Sequence, residues 1–491
     1  AGTTRRLVFM WSNDGSGGVQ PPASVDEISL VSSLPPSGPA NSPTALSLNP
    51  ISVSQIDGSF TAAIGAPDGY LTVRYPTGAM PSNPVNGTTY LPGAALGLGT
   101  VVSSSALTTF SATGLTPSTT YDFYVYSYNS APCASGPLYK TTAPLLGTAA
   151  TLACPSLAAG TYTVGPTGTY ASLTAVTAAL ANGTAGPVIF ELQPTYLSTV
   201  ETFPITFLGS PCPYIGGVTI RPQAGAVALS ITDANATGTI NINGASNITF
   251  DGRAGGVGLS QLTIENTSLT GYAFQFINSA RFNTLKFCTF RGVNTGTASG
   301  VIVFSTATGL PMGNSNNTID NCDIRDGATT PTNLVYATGT TTSYNSQNNN
   351  NTISNSLLHD WFNATSTTAG AAINVVTGCS DWTITNNSFY QSVPRTFTMT
   401  SATDQGAIFI NSTVFGFNFT ITNNFVGGSA ALCASTPWTY TGGATGTPTP
   451  RLIRISTSIG SPFNTISNNT IRNIAITSSS TSTAHSLISH L

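Results

Sequence analysis

A short alternation of polar and apolar residues, Thr-Ile-x-Asn-Asn-x-x-Ile/Phe, returns through the C-terminal two-thirds of the chain. Clear copies begin at Thr318, Thr352, Thr383, Thr420 and Thr465, and weaker copies begin at Thr263 and Thr284. The second residues of these copies, from Ile264 to Ile466, are 21, 34, 34, 31, 37 and 45 residues apart. A fixed short core at a variable period predicts a solenoid whose coils carry loops of different length.

The same pattern predicts strands, because each apolar run is short and Asn and Thr are poor helix formers. Further apolar strands are predicted at residues 273–277, 301–304, 372–375, 408–410 and 452–455. If the coils stack in register ~4.8 Å apart, their corner asparagines can form a ladder of side-chain amides. The predicted ladder residues are Asn321, Asn355, Asn386, Asn423 and Asn468. Asparagine also suits a corner because it tolerates a left-handed backbone.

Composition narrows the functional classes. A chain of 491 residues is too long for one compact core, so we expect two or three domains. Charged residues make up 6% and the net charge is −3, so neither nucleic acid nor an anionic membrane is an expected partner. No apolar run has transmembrane length, so we expect no membrane insertion. The first residues lack the apolar stretch of a signal peptide, so either one was removed or the sequence begins within a longer protein.

The seven cysteines contain no C-x-x-C pair, so a structural zinc site is not expected. Cys154 and Cys212 flank a turn-rich segment and form one candidate disulfide. Cys288 and Cys322 occupy the same motif position in successive coils and form a second, although register alone does not supply the required Cβ geometry. Both pairings stay open at this point, and either would indicate an oxidising, extracellular setting.

Residues 1–35 contain two strand-like runs, with Trp11-Ser12-Asn13-Asp14, then Pro21-Pro22, then Asp26-Glu27-Ile28-Ser29-Leu30. This order resembles the last strands of jelly-roll modules in secreted proteins of Bacteroidetes-type bacteria. The resemblance implies an incomplete module, because two strands cannot bury a sheet by themselves. It also places Asp26 near a calcium ion, the alternative being a solvated acid in a turn. Residues 36–42 form a stiff linker.

Residues 43–147 are predicted to form an all-β sandwich, with strand candidates at 46–48, 59–62, 70–75, 108–110 and 121–128. The run Leu115-Thr116-Pro117-Ser118-Thr119-Thr120-Tyr121 resembles the tyrosine corner of a fibronectin type III domain. The tryptophan common on an early strand of that family is absent, and Phe60 is its expected substitute. The resemblance implies a spacer or, less often, a binding module.

Residues 148–215 are predicted to cap the solenoid. A helix over residues 170–180, capped by Thr169, would place Leu173, Val176 and Leu180 on one apolar stripe over the open end. From residue 216 to 491 the chain resembles the right-handed parallel β-helix (pectin-lyase-like) superfamily, and the handedness is implied by that resemblance alone. The expected fold is therefore all-β: a fibronectin type III-like sandwich, then a right-handed parallel β-helix with an N-terminal capping helix. The last coil looks interrupted, so we expect the C-terminus to be incomplete.

The resembled superfamily includes polysaccharide lyases and hydrolases, which implies a search for acid, base and cation-binding residues. Arg291, Arg325 and His359 repeat at intervals of 34, with Asp326 and Asp360 beside them. These five are the candidate catalytic residues if the protein is an enzyme. The alternative, which we favour, is that they are ordinary solvated positions at strand ends, because polygalacturonase-type signatures are missing. Trp361, Trp382 and Trp438 are candidates either for stacking on sugars or for packing.

The leading functional expectation is an extracellular or cell-surface protein with a structural or adhesive role, the self-associating subunit of a filament or surface layer, without a cofactor. The alternative is a polysaccharide lyase or hydrolase, or a polysaccharide-binding adhesin. It would act on acidic glycans through the β-helix face, with calcium as its candidate cofactor.

Overall fold

The structure is a computed structural model that describes residues 8, 37–130, 136–306, 309–364, 369–398, 403–442, 448–458, 463–477 and 486–490. The predicted strands of residues 1–35, with Asp26, lie outside the described residues. The chain divides into two compact units. The first has its strands between residues 44 and 150, and the second comprises the chain from residue 151 onward together with the short segments Ser52–Ser54 and Leu115–Ser118.

The first unit contains a three-stranded sheet and a six-stranded sheet. The smaller sheet has the order Thr44–Ser52, Gln55–Thr61, Thr109–Ala112. The larger contains Ala95–Leu96, Gly99–Ser105, Gly69–Pro76, Thr120–Asn129, Leu138–Tyr139 and Leu145–Ala150, all paired antiparallel. Phe110 of the smaller sheet stacks on Phe123 of the larger, with ring centroids 5.6 Å apart. The predicted sandwich is confirmed, whereas its fibronectin type III identity stays a prediction.

The second unit is a parallel β-solenoid with three long sheets of ten, eight and nine strands, so the predicted fold class is confirmed. The first sheet consists of Gly160–Val164, Val188–Leu192, Val218–Pro222, Ile248–Asp251, Thr284–Lys286, Thr318–Asp320, Thr352–Ser354, Thr383–Thr385, Thr420–Thr422 and Thr465–Ser467. The second consists of Leu229–Asp233, Leu262–Asn266, Thr289–Gly292, Asp323–Asp326, Leu357–His359, Ser388–Tyr390, Phe425–Val426 and Thr470–Ile471. The third consists of Ile205–Leu208, Ile240–Asn243, Phe274–Ile277, Ile302–Phe304, Val335–Ala337, Gly370–Val375, Thr403–Ser412, Pro448–Thr457 and Ser486–His490.

In a complete coil the chain passes from the first sheet to the second, then to the third, then back to the first. Two small parallel sheets lie beside the long ones. They are Asn348–Asn349 with Cys379–Ser380, and Arg395–Thr396 with Trp438–Thr441 and Ile474–Thr477. Four 3₁₀ turns, Ser198–Val200, Ala254–Gly256, Tyr344–Ser346 and Ala431–Cys433, occur in the described loops.

The motif isoleucines form one continuous pile inside the solenoid. Strand register places in sequence Phe250, Leu285, Ile319, Ile353, Ile384, Ile421 and Ile466. All but the last are fully buried. Ile264, which we predicted to be part of this pile, does not belong to it. It lies in the second sheet, where it pairs with Phe290, because the Thr263-Ile264 copy forms a strand of a different face.

The amide ladder runs one residue later than we predicted. Asn321, Asn355, Asn386, Asn423 and Asn468 have left-handed backbones, with φ of 52°, 51°, 58°, 58° and 57°, and all five are exposed. The stacked amides belong to the next residues, where the Asn387 backbone N–H donates to Asn424 Oδ1 (3.0 Å) and that of Asn424 donates to Asn469 Oδ1 (3.0 Å). A second ladder, Asn283–Asn317–Asn351, lines the corner before the same strands. These amides satisfy backbone groups that strand pairing leaves open.

The outward face of the first sheet carries two rows of equivalent residues. One row is threonine on eight consecutive rungs: Thr219, Thr249, Thr284, Thr318, Thr352, Thr383, Thr420 and Thr465. The other begins with charges of alternating sign: Glu191, Arg221, Asp251, Lys286 and Asp320. Neighbours in this row form ion pairs, Arg221–Glu191 at 2.7 Å and Lys286–Asp251 at 3.4 Å. Opposite charges on adjacent strands favour this register over a slipped one.

A helix, Leu173–Leu180, packs at the N-terminal end of the solenoid, with Leu173, Val176 and Leu180 buried in the solenoid core as the stripe predicts. Its N-cap is Ser172 rather than Thr169, because the Ser172 hydroxyl accepts the Ala175 N–H at 3.1 Å. The Glu201 carboxylate accepts the Leu173 and Thr174 N–H groups at 2.6 and 2.7 Å. A carboxylate at this position satisfies free donors and complements the positive end of the helix dipole.

The structure joins Cys154 to Cys212 in a disulfide with a Cα–Cα distance of 5.8 Å. The second candidate disulfide, Cys288–Cys322, was a wrong prediction, because both residues are buried free thiols. Each thiol donates to a carbonyl of the preceding coil, Cys288 to Phe250 O and Cys322 to Leu285 O. In-register parallel strands hold their Cα–Cβ bonds side by side, about one strand spacing apart, and a disulfide needs the sulfurs within ~2.05 Å.

The one-residue shift of the ladder predicts contrasting effects at neighbouring positions. Asn424→Ala removes hydrogen bonds to Ile384 O and Asn469 Oδ1 and leaves the Asn387 amide without its acceptor. We expect it to destabilise the solenoid by about 1–3 kcal/mol. Asn423→Gly keeps the left-handed backbone without strain and should change stability by less than about 0.5 kcal/mol. Thermal unfolding followed by circular dichroism, with amide exchange of this coil, distinguishes the two. Equal destabilisation by both variants contradicts the shifted ladder.

Candidate functional site

The predicted candidate residues lie on the outer side of the second sheet. Strand register pairs Arg291 with Arg325 and Gly292 with Asp326. Leu358 pairs with Ile324, which brings His359 to the rung after Arg325, and His359 pairs with Tyr390. Arg291, Arg325 and His359, which repeat at intervals of 34 residues, therefore occupy neighbouring positions on successive strands. Alternation with the buried Phe290, Ile324, Leu358 and Phe389 turns Arg291, Arg325, His359 and Tyr390 outward.

The two arginines are the open part of this face. Their side chains are 36% and 39% exposed. Arg291 Nη1 lies 3.6 Å from Glu265 Oε2, and its Nε donates to the Asp326 carbonyl at 3.3 Å. Arg325 Nε lies 3.5 Å from Asp326 Oδ1 in a contact that lacks hydrogen-bond geometry. Adjacent acids therefore offset part of the repulsion between the stacked guanidinium groups.

His359 is buried between two carboxylates. Its Nε2 lies 2.9 Å from Asp323 Oδ1 and its Nδ1 lies 2.7 Å from Asp360 Oδ2. The Tyr390 ring stacks on the imidazole at 4.5 Å with an interplanar angle of 8°. Burial disfavours the charged imidazole, but the hydrogen bonds with Asp323 and Asp360 outweigh it and raise the pKa of His359.

Asp360 is the centre of this network, which we call the acid–histidine cluster: Asp323, His359, Asp360, Ser392 and Arg395. Asp360 leaves its strand with a left-handed backbone (φ 62°) and is almost fully buried. Its Oδ1 accepts Arg395 Nη2 at 2.6 Å and the Ser392 N–H at 2.9 Å. Its Oδ2 accepts the Ser392 hydroxyl at 2.8 Å in addition to His359. Burial opposes ionisation, but these hydrogen bonds lower the pKa of Asp360 to about 2.

Asp326 and Asp320 have different surroundings. Burial and the nearby charge of Asp360 raise the pKa of Asp326. Asp320 lies outside the cluster. Its carboxylate accepts hydrogen bonds from Ser354, Asn355 and Asn321. Despite its partial burial, these bonds lower the pKa of Asp320.

This arrangement has little capacity for acid–base chemistry. A general base needs a free nitrogen or oxygen within reach of a substrate proton. Both nitrogens of His359 and both oxygens of Asp360 are already bonded within the protein. The cluster instead ties the coil of residues 357–360 to the coils before and after it. The guanidinium groups of Arg291 and Arg325, which are more than one-third exposed, remain available on this face.

Three members of the cluster, Asp323, Ser392 and Arg395, were not among the candidate residues. Asp323 lies two residues before Arg325, so the same alternation that turns Arg325 outward also turns Asp323 toward the diagonal neighbour His359. That signal was present in the sequence. Arg395 begins a short side strand outside the repeat, Arg395–Thr396, and no spacing places it beside Asp360.

Three further observations bear on binding. Trp361, Trp382 and Trp438 are fully buried, which corrects their candidacy for sugar stacking. Among the described residues, no three His, Cys, Asp or Glu side chains are placed to hold a metal ion. Calcium binding stays a prediction. No helix in the described ranges is both long enough and apolar enough to cross a bilayer.

Removing His359 should change stability in a pH-dependent way. A raised pKa means that protonated His359 stabilises the fold fully below its ordinary pKa of 6.5, and that this contribution disappears as pH rises through the raised value. The lowered pKa of Asp360 keeps its contribution in place above 3.8 and removes it as pH falls toward about 2. His359→Gln should therefore cost most between about pH 4 and pH 6.

The measurement is the midpoint of denaturant unfolding of the solenoid for both proteins across pH 3–9. Tyr390→Phe, which keeps the stacked ring and both carboxylates, is the matched control and should leave the pH profile unchanged. A difference between wild type and His359→Gln that grows above pH 7 contradicts the assignment.

Comparison with known proteins gives limited similarity. No family model matches the chain, and no curated protein does. Among solved structures, a computationally redesigned β-sandwich protein is similar, with 17% identity over 23% of this chain and 89% of that one, at a TM-score of 0.17. A TM-score this low carries no argument about fold or function. The architecture itself is what the structure establishes: a β-sandwich unit and a parallel β-solenoid.

Proposed function

We propose that the protein is a structural and adhesive module of an extracellular surface assembly. One observation carries the proposal: on the face that holds the candidate catalytic residues, both nitrogens of His359 and both oxygens of Asp360 are hydrogen-bonded within the protein. We infer that His359 and Asp360 stabilise the stack of coils, because a general base needs a nitrogen or oxygen that is free to take a substrate proton.

The surface chemistry supports self-association. Charged residues make up 6% of the chain, which contains two lysines. The eight-threonine row gives the first sheet a regular outer face that is free of charge along that row. Two such faces can approach without the large cost of removing water from unpaired charges. A homopolymer, in the form of a filament or surface layer, is the assembly that we propose.

An oxidising compartment is supported by the Cys154–Cys212 disulfide, since such bonds persist mainly in secreted and surface proteins.

We also propose the finer family relationships of the two units. The sandwich is fibronectin type III-like, supported by the burial of Leu115 and Tyr121 in the tyrosine-corner run. The solenoid is a right-handed, pectin-lyase-like β-helix, supported by its three parallel sheets. The Bacteroidetes-type origin rests on the jelly-roll resemblance alone.

A second candidate function is the binding or cleavage of acidic glycans, with or without calcium. It is favoured by the Arg291 and Arg325 guanidinium groups, which lie on adjacent rungs and are more than one-third exposed. Such a pair fits carboxylates spaced along a polymer. Incubation with pectin, alginate and glycosaminoglycans, with and without calcium, tests it. Release of unsaturated ends that Arg325→Ala abolishes would replace the structural proposal.

Self-association is the expected outcome for the full chain. Sedimentation velocity and negative-stain imaging over a wide concentration range should show polymers whose mass grows with concentration. The double variant Thr352→Lys, Thr420→Lys places like charges on the threonine row and should shift assembly to at least about tenfold higher concentration.

Ser230→Lys is the matched control for the single variant Thr352→Lys, because each adds one positive charge, and Ser230 is an exposed hydroxyl on the second sheet. Monodisperse monomers at every concentration count against the proposed assembly. Equal effects of the two kinds of variant count against the threonine row as its contact.

A further inference from the structure

Among the residues that the structure describes, the strongly exposed aromatic side chains lie at one corner of the solenoid. Four aromatic side chains in the described part of the chain are strongly exposed: Phe282 (50%), Tyr344 (37%), Phe415 (46%) and Phe463 (81%). Each lies in the connection from the third sheet to the first. Exposed aliphatic residues occur in other connections as well, for example Val257 and Leu259. We call Phe282, Tyr344, Phe415, Phe417 and Phe463 the aromatic corner.

The backbone at this corner is better suited to asparagine than to phenylalanine. The equivalent residues of successive coils have left-handed backbones: Asn247, Phe282, Asn316, Asn350, Asp381 and Asn418, with φ between 55° and 62°. Asn and Asp adopt this conformation readily, whereas it is an outlier for a bulky side chain. Phe282 and Phe415 both adopt it, with φ of 56° and 53°. They are half-exposed, so little burial offsets the strain, and strained residues of this kind concentrate at binding sites.

The middle of the aromatic corner is held rigidly. The rings of Tyr344 and Phe417 are parallel within 4°, with centroids 5.7 Å apart. The Tyr344 hydroxyl donates to Asp381 Oδ2 at 2.8 Å, and Asn418 Nδ2 donates to Asp381 Oδ1 at 2.6 Å. These bonds join three successive coils and fix the plane of the tyrosine ring.

The loop that presents Phe415 is fixed from both sides. Below it, the buried Gln347 side chain donates from Nε2 to the Val414 carbonyl at 3.0 Å. Above it, the Ser458 N–H and hydroxyl donate to the Gly416 carbonyl at 3.0 and 2.9 Å. Gly416 is required there, because a Cβ would overlap the Ser412 carbonyl oxygen. Rigid presentation reduces the entropy lost when a ligand binds.

The charge of this corner is low. The Asp381 carboxylate is bonded to Tyr344 and Asn418, and Arg281 lies against the Phe282 ring with its guanidinium carbon 4.9 Å from the centroid. The remaining polar groups of the column are the Asn247, Asn316 and Asn350 amides, which are partly or fully exposed. Rigid aromatic rings beside neutral donors and acceptors match a ligand that offers apolar C–H faces and hydroxyl groups.

We propose that the aromatic corner binds a neutral polysaccharide chain that runs along the solenoid axis. From Phe282 to Phe463 the corner spans five rungs, or about 24 Å at ~4.8 Å per rung. The sugar rings stack on Tyr344, Phe415 and Phe463, and their hydroxyl groups bond to the corner amides. The inference deepens the adhesive part of the proposed function and rests on it. It concerns a different surface from the arginine pair and a different glycan class.

The test is affinity gel electrophoresis and titration calorimetry of the full chain with hydroxyethylcellulose, mixed-linkage β-glucan, galactomannan and xylan, with alginate as the acidic comparison. At least one neutral polymer should retard the protein. The double variant Phe415→Ala, Phe463→Ala should weaken that binding at least about tenfold. Val257→Ala with Leu259→Ala removes apolar groups elsewhere that are at least as exposed as Phe415 and should leave binding unchanged.

A second variant separates binding from folding. Phe415→Asn relieves the left-handed strain, so it should keep or raise the thermal midpoint while binding falls about tenfold. Retention of full binding by this variant overturns the proposal, as does failure of every neutral polymer to bind. Binding to alginate alone, lost in Arg325→Ala, also overturns it in favour of the arginine pair. If no neutral polymer binds and the aromatic-corner variants lose self-association, the corner is a contact between copies of the chain. Failure of the proposed assembly is a separate result, because it is measured with the threonine-row variants.

Discussion

The whole solenoid depends on the in-register stacking of equivalent residues, because a coil has no core of its own. Each strand contributes only three to five residues in most coils, too few to bury an apolar face without the coils above and below. Stacking supplies the strand hydrogen bonds and the pile from Phe250 to Ile421. It leaves the corners unsatisfied, where the backbone turns and strand pairing stops. The ladders through Asn387, Asn424 and Asn469, and through Asn283, Asn317 and Asn351, close that gap.

The corner geometry explains why the sequence predicted the coils correctly but misplaced the ladder. Strict alternation from Ile319 would turn Asn321 inward. A left-handed residue interrupts the alternation, so Asp320 and Asn321 both face outward and Cys322 faces inward. The inward position then accepts Cys322, Ser356, Asn387 and Asn424 in successive coils, because each can bond to a backbone group of a neighbouring coil. The sequence shows which residues share a rung, whereas their direction at the corner follows from a backbone conformation that it does not state.

The candidate site was predictable to the same extent. The 34-residue spacing placed Arg291 beside Arg325 and brought His359 to the next rung. Spacing could not show that Asp360 adopts a left-handed backbone and meets Arg395, a residue outside the repeat. The buried tryptophans follow the same logic. Trp382 occupies a ladder position and donates from its indole to the Asn348 carbonyl, so it replaces an amide in the stack and does not reach the surface.

In-register stacking also determines which positions remain free to evolve for function. An inward position is constrained by the coil on either side, and an outward strand position is constrained by like neighbours ~4.8 Å away. The corner residues with left-handed backbones are Asn, Asp or Phe in successive coils, so the side chain varies there while the backbone conformation is kept. Asn316, Asn350 and Asn418 adopt the left-handed backbone with little strain, whereas Phe282 adopts it at a cost in conformational energy. An exposed phenylalanine in that column contributes little to stability, which supports the proposed binding role of the aromatic corner. The side chains of the acid–histidine cluster are hydrogen-bonded to one another, which supports a structural role for that cluster.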